Sequence, residues 1–466
     1  MKHTLRLATL LVCSLSLMFG QADANKGQII GTVTDPNAAV IAGAKLVLKN
    51  VGTGITRELT SSSVGTYRAV LMDPGTYEVT ANTSGFAEKK IAGLVLNVGS
   101  TITVNIQMSV QSTSTTVDVG ETLLQDAVPV ASALVNSIAI TNLPINGRRF
   151  QDFVLLTPTA VVEGASRNQI SFAGQRGINS NIMLDGADYN QPFFGGIRGG
   201  ERSGSIITVP QSAIQEFQVI PSGYTAEYGR STGGVMNTIT KSGTNDLHGD
   251  GFYQIRHRTL SEFNPVVLVK PSETLQQFGG SVGGPIKKNK LFWFVAAESQ
   301  YSETPRVVVI PSINGVAITP RNTEAITLIR SFEKPFQQTN RSTAITSKGD
   351  YAFNKGHRLT MRYNFSDSVE QNAVTVGAAV NPVTNNSVEN EGNELDRIHN
   401  GTMQYTHIIS PSIVNDIKFS GSYEERPRTA NSNNPGVNLQ NVTAFGARSF
   451  LPTTQFDKRW QITDSI

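Results

Sequence analysis

Cysteine is almost missing from this chain: its 466 residues include one, Cys13. That residue lies in the first apolar stretch, so a chain cleaved after Ala24 would carry none, which excludes a disulfide framework and a thiolate metal site. Long apolar runs are also missing. Beyond the N-terminus none reaches 18 residues, so helical membrane spans are not expected. A membrane β-barrel stays open, because alternating strands leave only a weak hydropathy signal. Charge is sparse at 16% Asp, Glu, Lys and Arg, with a net of +3. The basic residues are dispersed apart from Lys287-Lys288-Asn289-Lys290, which reads as a solvated turn, so no nucleic-acid partner is expected. The six histidines are scattered and form no H-E-x-x-H pair. Residues 279–283 fit G-x-S-x-G, but Gly283-Gly284-Pro285 cannot open the helix that a nucleophile elbow needs. Residues 195–200 lack the dinucleotide pattern and its βαβ setting. No catalytic residue, metal ligand or cofactor is therefore assigned, and the chain is not read as an enzyme.

Glycine is abundant, with 42 residues, and it occurs among Ser, Thr and Asn, which suits short strands and turns. The N-terminus has the form of a secretory signal. Lys2 and Arg6 give a charged start, Leu7 to Phe19 an apolar middle, and Ala22-Asp23-Ala24 a cleavage site.

From Lys26 to Val110 runs of alternating residues recur about every ten positions between turns such as Asp35-Pro36-Asn37 and Asp73-Pro74-Gly75, the pattern of a small β-sandwich. GQIIGTVTDPNAAVIAGAKLVLKN followed by PGTYEVTANTSGF resembles the carboxypeptidase-regulatory-like domain, a transthyretin-like sandwich. The module contains no histidine, and the zinc domain of the carboxypeptidases is absent. A rigid spacer and a weak binder of sugar or protein both remain open for it.

The stretch that organises the chain starts at Ile214 and reads IQEFQVIPSGYTAEYGRSTGGVMNTITKSGTNDLHG. Its short β-runs, interrupted by glycine and carrying Glu216, Glu227, Arg230 and Lys241, suit a segment packed in a polar interior that then turns into a wall strand. The wording resembles the end of the plug domain of TonB-dependent outer-membrane receptors, in their Oar-like branch. LPINGRRF from Leu143, SFAGQRG from Ser171 and NIMLDG from Asn181 extend that resemblance through residues 123–245. Enclosure makes an unpaired charge costly, so Glu216 or Glu227 is expected to pair with Arg230 or with an inward arginine of the wall. Residues 192–204 read as a loose plug loop. Residues 111–122 form a polar linker that leads into Thr116-Val117-Asp118-Val119. The resemblance makes these four residues a candidate Ton box, which binds a TonB-type energy-transducing protein by adding a strand to its sheet.

From residue 246 on, period-2 alternation is clear. Leu359, Met361, Tyr363 and Phe365 alternate with Thr360, Arg362, Asn364 and Ser366. Short connections at residues 284–290, 354–357 and 409–412 alternate with long ones, as in outer-membrane barrels. The expected fold is mainly β: a sandwich, an α+β plug, and about seven strands of an incomplete antiparallel barrel, where the family closes with about 22. An open wall in lipid is not viable, so the chain reads as an N-terminal fragment or an early stop. The expected partners are outer-membrane lipid, a TonB-type protein and an unidentified extracellular substrate. The alternative is an outer-membrane adhesin or structural protein whose loops bind matrix, glycans or cells.

Overall fold

A computed structural model describes residues 25–110, 115–118, 133–143, 145–163, 169–193, 195–199, 206–224, 228–262, 273–354, 356–373, 383–410 and 413–466. The N-terminal stretch read as an export signal, Cys13, Val119 and Glu227 lie outside these residues. Among the described residues no helix is long and apolar enough to cross a membrane.

The sandwich is built from strands whose side chains alternate between its core and solvent. They are β1 (Gly27–Thr34), β2 (Lys45–Asn50), β3 (Thr56–Thr60), β4 (Thr66–Met72), β5 (Gly75–Asn82), β6 (Lys89–Leu96), β7 (Thr101–Thr103) and β8 (Ile106–Gln107). One sheet has the order β4-β1-β7, with β8 also paired to β1. The facing sheet runs β3-β2-β5-β6 and ends on β9 (Thr115–Asp118). Ile29, Val33, Leu46, Leu48, Val79 and Val104 fill the space between the sheets and are fully buried. Burial at every second position is what holds each strand in register.

The plug sheet has the order β10 (Ala133–Val135), β15 (Ile214–Ile220), β16 (Val235–Thr240), β13 (Asn181–Leu184), β14 (Ala187–Asp188). A separate pair joins β11 (Ala160–Val162) to β12 (Ile170–Phe172), and a short helix, α1 (Ser137–Asn142), is capped by the Asn136 side chain. Phe150, Phe153, Phe172 and Phe217 form the centre of the plug core, with the Phe153 and Phe217 rings 5.6 Å apart. Phe294 and Ala296 of the wall belong to the same core.

The wall is one antiparallel sheet of eight strands in chain order: β17 (His248–Arg256), β18 (Thr274–Lys287), β19 (Leu291–Val308), β20 (Phe336–Asn354), β21 (His357–Gln371), β23 (Gly392–Ser410), β24 (Ile413–Ala430) and β27 (Thr453–Ser465). A two-residue strand, β22 (Val383–Thr384), pairs with β19. Among the described residues the sheet does not close: β17 and β27 are its two edges. The count exceeds the expected seven because β27 follows a long loop and carries Asp457, Lys458 and Arg459 in succession, which hides its alternation. Arg362, Asn364, Ser366 and Ser368 on β21 are buried toward the plug, whereas Met361 and Tyr363 are exposed on the outer side. Polar inside and apolar outside is the barrel arrangement. The G-x-S-x-G residues lie inside β18, with no elbow.

Two of the long connections carry folded elements. α2 (Thr323–Ser331) stands between β19 and β20, and the hairpin β25 (Val437–Leu439) with β26 (Thr443–Phe445) stands between β24 and β27. Val308, Ile310, Ile313, Phe336 and Val442 make a small core among these loops, and Phe332 stacks on Phe445 at 4.4 Å. The sandwich lies at the opposite, short-turn end of the wall. There Asn245 donates its backbone N–H to Gly52 O at 2.9 Å, and Asp73 pairs with Arg358.

Candidate functional site

The chemistry of the molecule is concentrated where the plug meets the wall. NIMLDG folds as a strand followed by a tight turn: Asp185 and Gly186 both have positive φ, and Leu184 pairs with Ala187. The turn brings the Asp185 carboxylate against β16, where it accepts the Thr240 N–H at 2.9 Å and the Thr240 hydroxyl at 2.8 Å. Arg362 Nε of the wall lies 2.7 Å away and Lys348 Nζ 3.9 Å away. Burial raises the pKa of Asp185, but the two cations and the Thr240 bonds together outweigh it, and the group ends below its ordinary value.

Three further contacts repeat the design. Arg148 Nη2 lies 3.0 Å from Glu298 of β19, which also accepts from the Ser212 N–H and hydroxyl. Asp188 takes Arg230 at 2.8 Å and also pairs with Arg459 of β27. Arg198 is fully buried, lies 2.9 Å from Glu424 of β24 and grips both oxygens of Asp457. Residues 192–204 were expected to be a loose loop. Arg198 corrects that for the described part, because a guanidinium enclosed between two wall carboxylates fixes its backbone.

Glu216 and Arg230 are not brought together. Arg230 is largely exposed and meets Asp188. Glu216 is buried and accepts the Val98 N–H of the sandwich at 2.8 Å. Burial, the dominant cause, pushes its pKa up to about 7 against the smaller opposite effect of that bond. Glu227 and Val119 fall outside the described residues. Thr116, Val117 and Asp118 do not run as a free linker: as part of β9 they extend the sandwich sheet in parallel, with Thr116 opposite Lys90, Val117 opposite Ile91 and Asp118 opposite Ala92.

At the long-loop end, Arg426 and Arg428 bridge Glu394 and Asp396 along the inner face of the wall. Beyond them a cavity of about 330 Å³ opens between the loops, lined by Asn386, Asn390, Asn438, Arg448 and Phe450. Sequence reasoning missed this cavity and the Asp185, Asp188 and Arg198 contacts. Asp185 alone carried a signal, as a carboxylate closing an apolar strand. Among the described residues no cluster suited to a metal ion is present.

A large polar-inside, apolar-outside sheet with a separate domain fastened to its inner face has the form of an outer-membrane β-barrel wall with its plug. Residues 28–109 match the carboxypeptidase regulatory-like domain family, and residues 239–315 and 311–464 match an outer membrane β-barrel domain family. The chain is 25% identical over 380 residues to the TonB-dependent transporter Oar of Myxococcus xanthus, covering 76% of this chain and 35% of that protein. The chain is thus a homologue of that transporter, with a carboxypeptidase regulatory-like domain and an outer membrane β-barrel domain, and is an outer-membrane protein. It spans about a third of the length of that relative. The crystal structure of the siderophore receptor PirA from Acinetobacter baumannii is also similar, at 17% identity, a TM-score of 0.47, and coverage of 70% of this chain and 43% of that one. The outer membrane transporter YddB from Escherichia coli gives 11% identity and a TM-score of 0.49, covering 72% and 44%.

Proposed function

We propose that the chain works in energised uptake of an extracellular substrate across the outer membrane, with no catalysis. Cargo enters from the long-loop end, where the 330 Å³ cavity offers Arg448 and several asparagine amides. That lining suits a polar or anionic group on the cargo. The plug blocks the lumen, and a TonB-type protein draws on the segment that precedes it. The observation that carries this reading is the way the plug is held. It is a distinct sheet fastened to the wall by paired charges at Asp185, Asp188, Arg148 and Arg198, contacts that can part and re-form without disturbing the wall's hydrogen bonds. Thr116 to Val119 is our candidate contact for the energising partner. Thr115–Asp118 already lies along a sheet edge, the binding mode that strand addition requires.

The test separates import from adhesion. Cells carrying the receptor are given labelled culture-medium solutes with and without a collapsed proton gradient. Gradient-dependent accumulation supports uptake. Surface binding of equal extent in both conditions, with nothing accumulated, would favour the adhesin and overturn this reading.

A further inference from the structure

A cavity of about 70 Å³ lies where the sandwich meets the short-turn end of the wall, several times the ~10–15 Å³ that holds one water. The sandwich contributes Arg57, Asp73 and Tyr77, and the wall contributes His357, Arg358 and Thr406. Arg57 stands on β3 and is only 6% exposed. Its Nη1 donates to the Val70 carbonyl and lies 3.7 Å from Met72 Sδ. Its Nε and Nη2 have no protein acceptor. Those two nitrogens form one edge of the guanidinium, the edge whose parallel N–H bonds match two oxygens of a carboxylate or phosphate.

The surrounding charge points the same way. Asp73 is the one carboxylate among the described residues lining the cavity, and it is already engaged by Lys26 and Arg358. Arg57 is thus left as a buried cation without a counter-charge, an arrangement that is costly unless something pairs with it. Burial, slightly offset by Tyr77, depresses its pKa to about 10, as expected for a guanidinium lacking an anion.

We propose that this cavity binds a small oxyanion, gripped side-on by Arg57 Nε and Nη2 and enclosed by the wall. Its volume suits an inorganic phosphate or a single carboxylate group. Because the lining comes from both modules, the anion ties the sandwich to the mouth of the wall. The site is separate from the cargo cavity and stands or falls independently of the uptake reading.

The test is calorimetric titration of the intact protein, purified in detergent, with inorganic phosphate and separately with acetate. Saturable binding of at least one is expected. Stronger phosphate binding identifies a free inorganic anion as the occupant, and stronger acetate binding identifies a carboxylate-bearing solute. Arg57→Lys, which keeps the charge and loses the fork, should weaken binding at least tenfold. Arg57→Met should abolish it, with an anion-free melting temperature no lower than that of the parent. Absence of binding of either probe up to about 10 mM overturns the proposal. So does affinity unchanged in Arg57→Lys or in Arg57→Met.

Discussion

Arg198 of the plug and Glu424 of the wall lie 2.9 Å apart, and both are almost wholly enclosed by protein. Asp457 grips the same guanidinium from the neighbouring strand. A charge so placed stabilises little in itself, because desolvation offsets most of the attraction, but breaking the arrangement on one side is severe.

Arg198→Met is therefore expected to destabilise the seated plug by about 3–5 kcal/mol, since Asp457 and Glu424 would remain enclosed without this cation. Denaturant midpoints in detergent would measure it. A midpoint within experimental scatter of the parent would show that water replaces the pair.

Glu216 gives a pH dependence. Its carboxyl is raised from the ordinary 4.5 to about 7 by burial between plug and sandwich. Between those pH values the exposed group of the unfolded chain has lost its proton while the buried one keeps it. The folded state consequently loses stability as pH rises through this window, on the order of 1–3 kcal/mol by pH 8. Glu216→Gln retains an acceptor for the Val98 N–H and cannot ionise. It should melt higher than the parent at pH 8 and together with it below pH 4.5. The same difference at both pH values would rule out titration as the cause.

The segment β9 makes a backbone prediction. Proline at Val117 removes an N–H donor and fixes φ, so uptake should fall sharply while cargo binding at the cell surface persists. Asp118→Ala leaves the backbone intact and should matter much less. Normal uptake by Val117→Pro at parental abundance would reduce this segment to a linker.

Gly243 makes a packing prediction. A Cβ there would stand 2.3 Å from the Trp293 carbonyl oxygen and 2.8 Å from that of Gly284, both backbone atoms of the wall. Gly243→Ala should cost about 1–3 kcal/mol through overpacking. At Gly229 nothing lies within 4 Å, so Gly229→Ala is the matched control and should melt like the parent.

Much of the architecture was legible because it rests on local periodicity. Met361 and Tyr363 alternate with Arg362 and Asn364 wherever the strand goes, and Asp185-Gly186 turns the chain by its own dihedral preferences. The site was legible only in part because its partners are distant. Arg198 and Glu424 are 226 positions apart, and nothing around either residue names the other. Glu216 shows the limit most clearly. Its expected partner was Arg230 or an inward arginine of the wall, whereas it accepts from Val98, a residue of a different module.

The place of β10 in the plug sheet has a mechanical consequence. It is an edge strand of three residues, held to β15 through the pairs Ala133–Val219, Leu134–Gln218 and Val135–Phe217. Tension entering from the N-terminal side reaches the plug sheet first at Ala133. Three rungs on one side hold this strand, whereas β15 and β16 behind it are each paired on both sides. The plug sheet is therefore soft toward a pull from one terminus and stiff in its interior, and its opening can begin without melting the strands that carry Thr240 and Glu216.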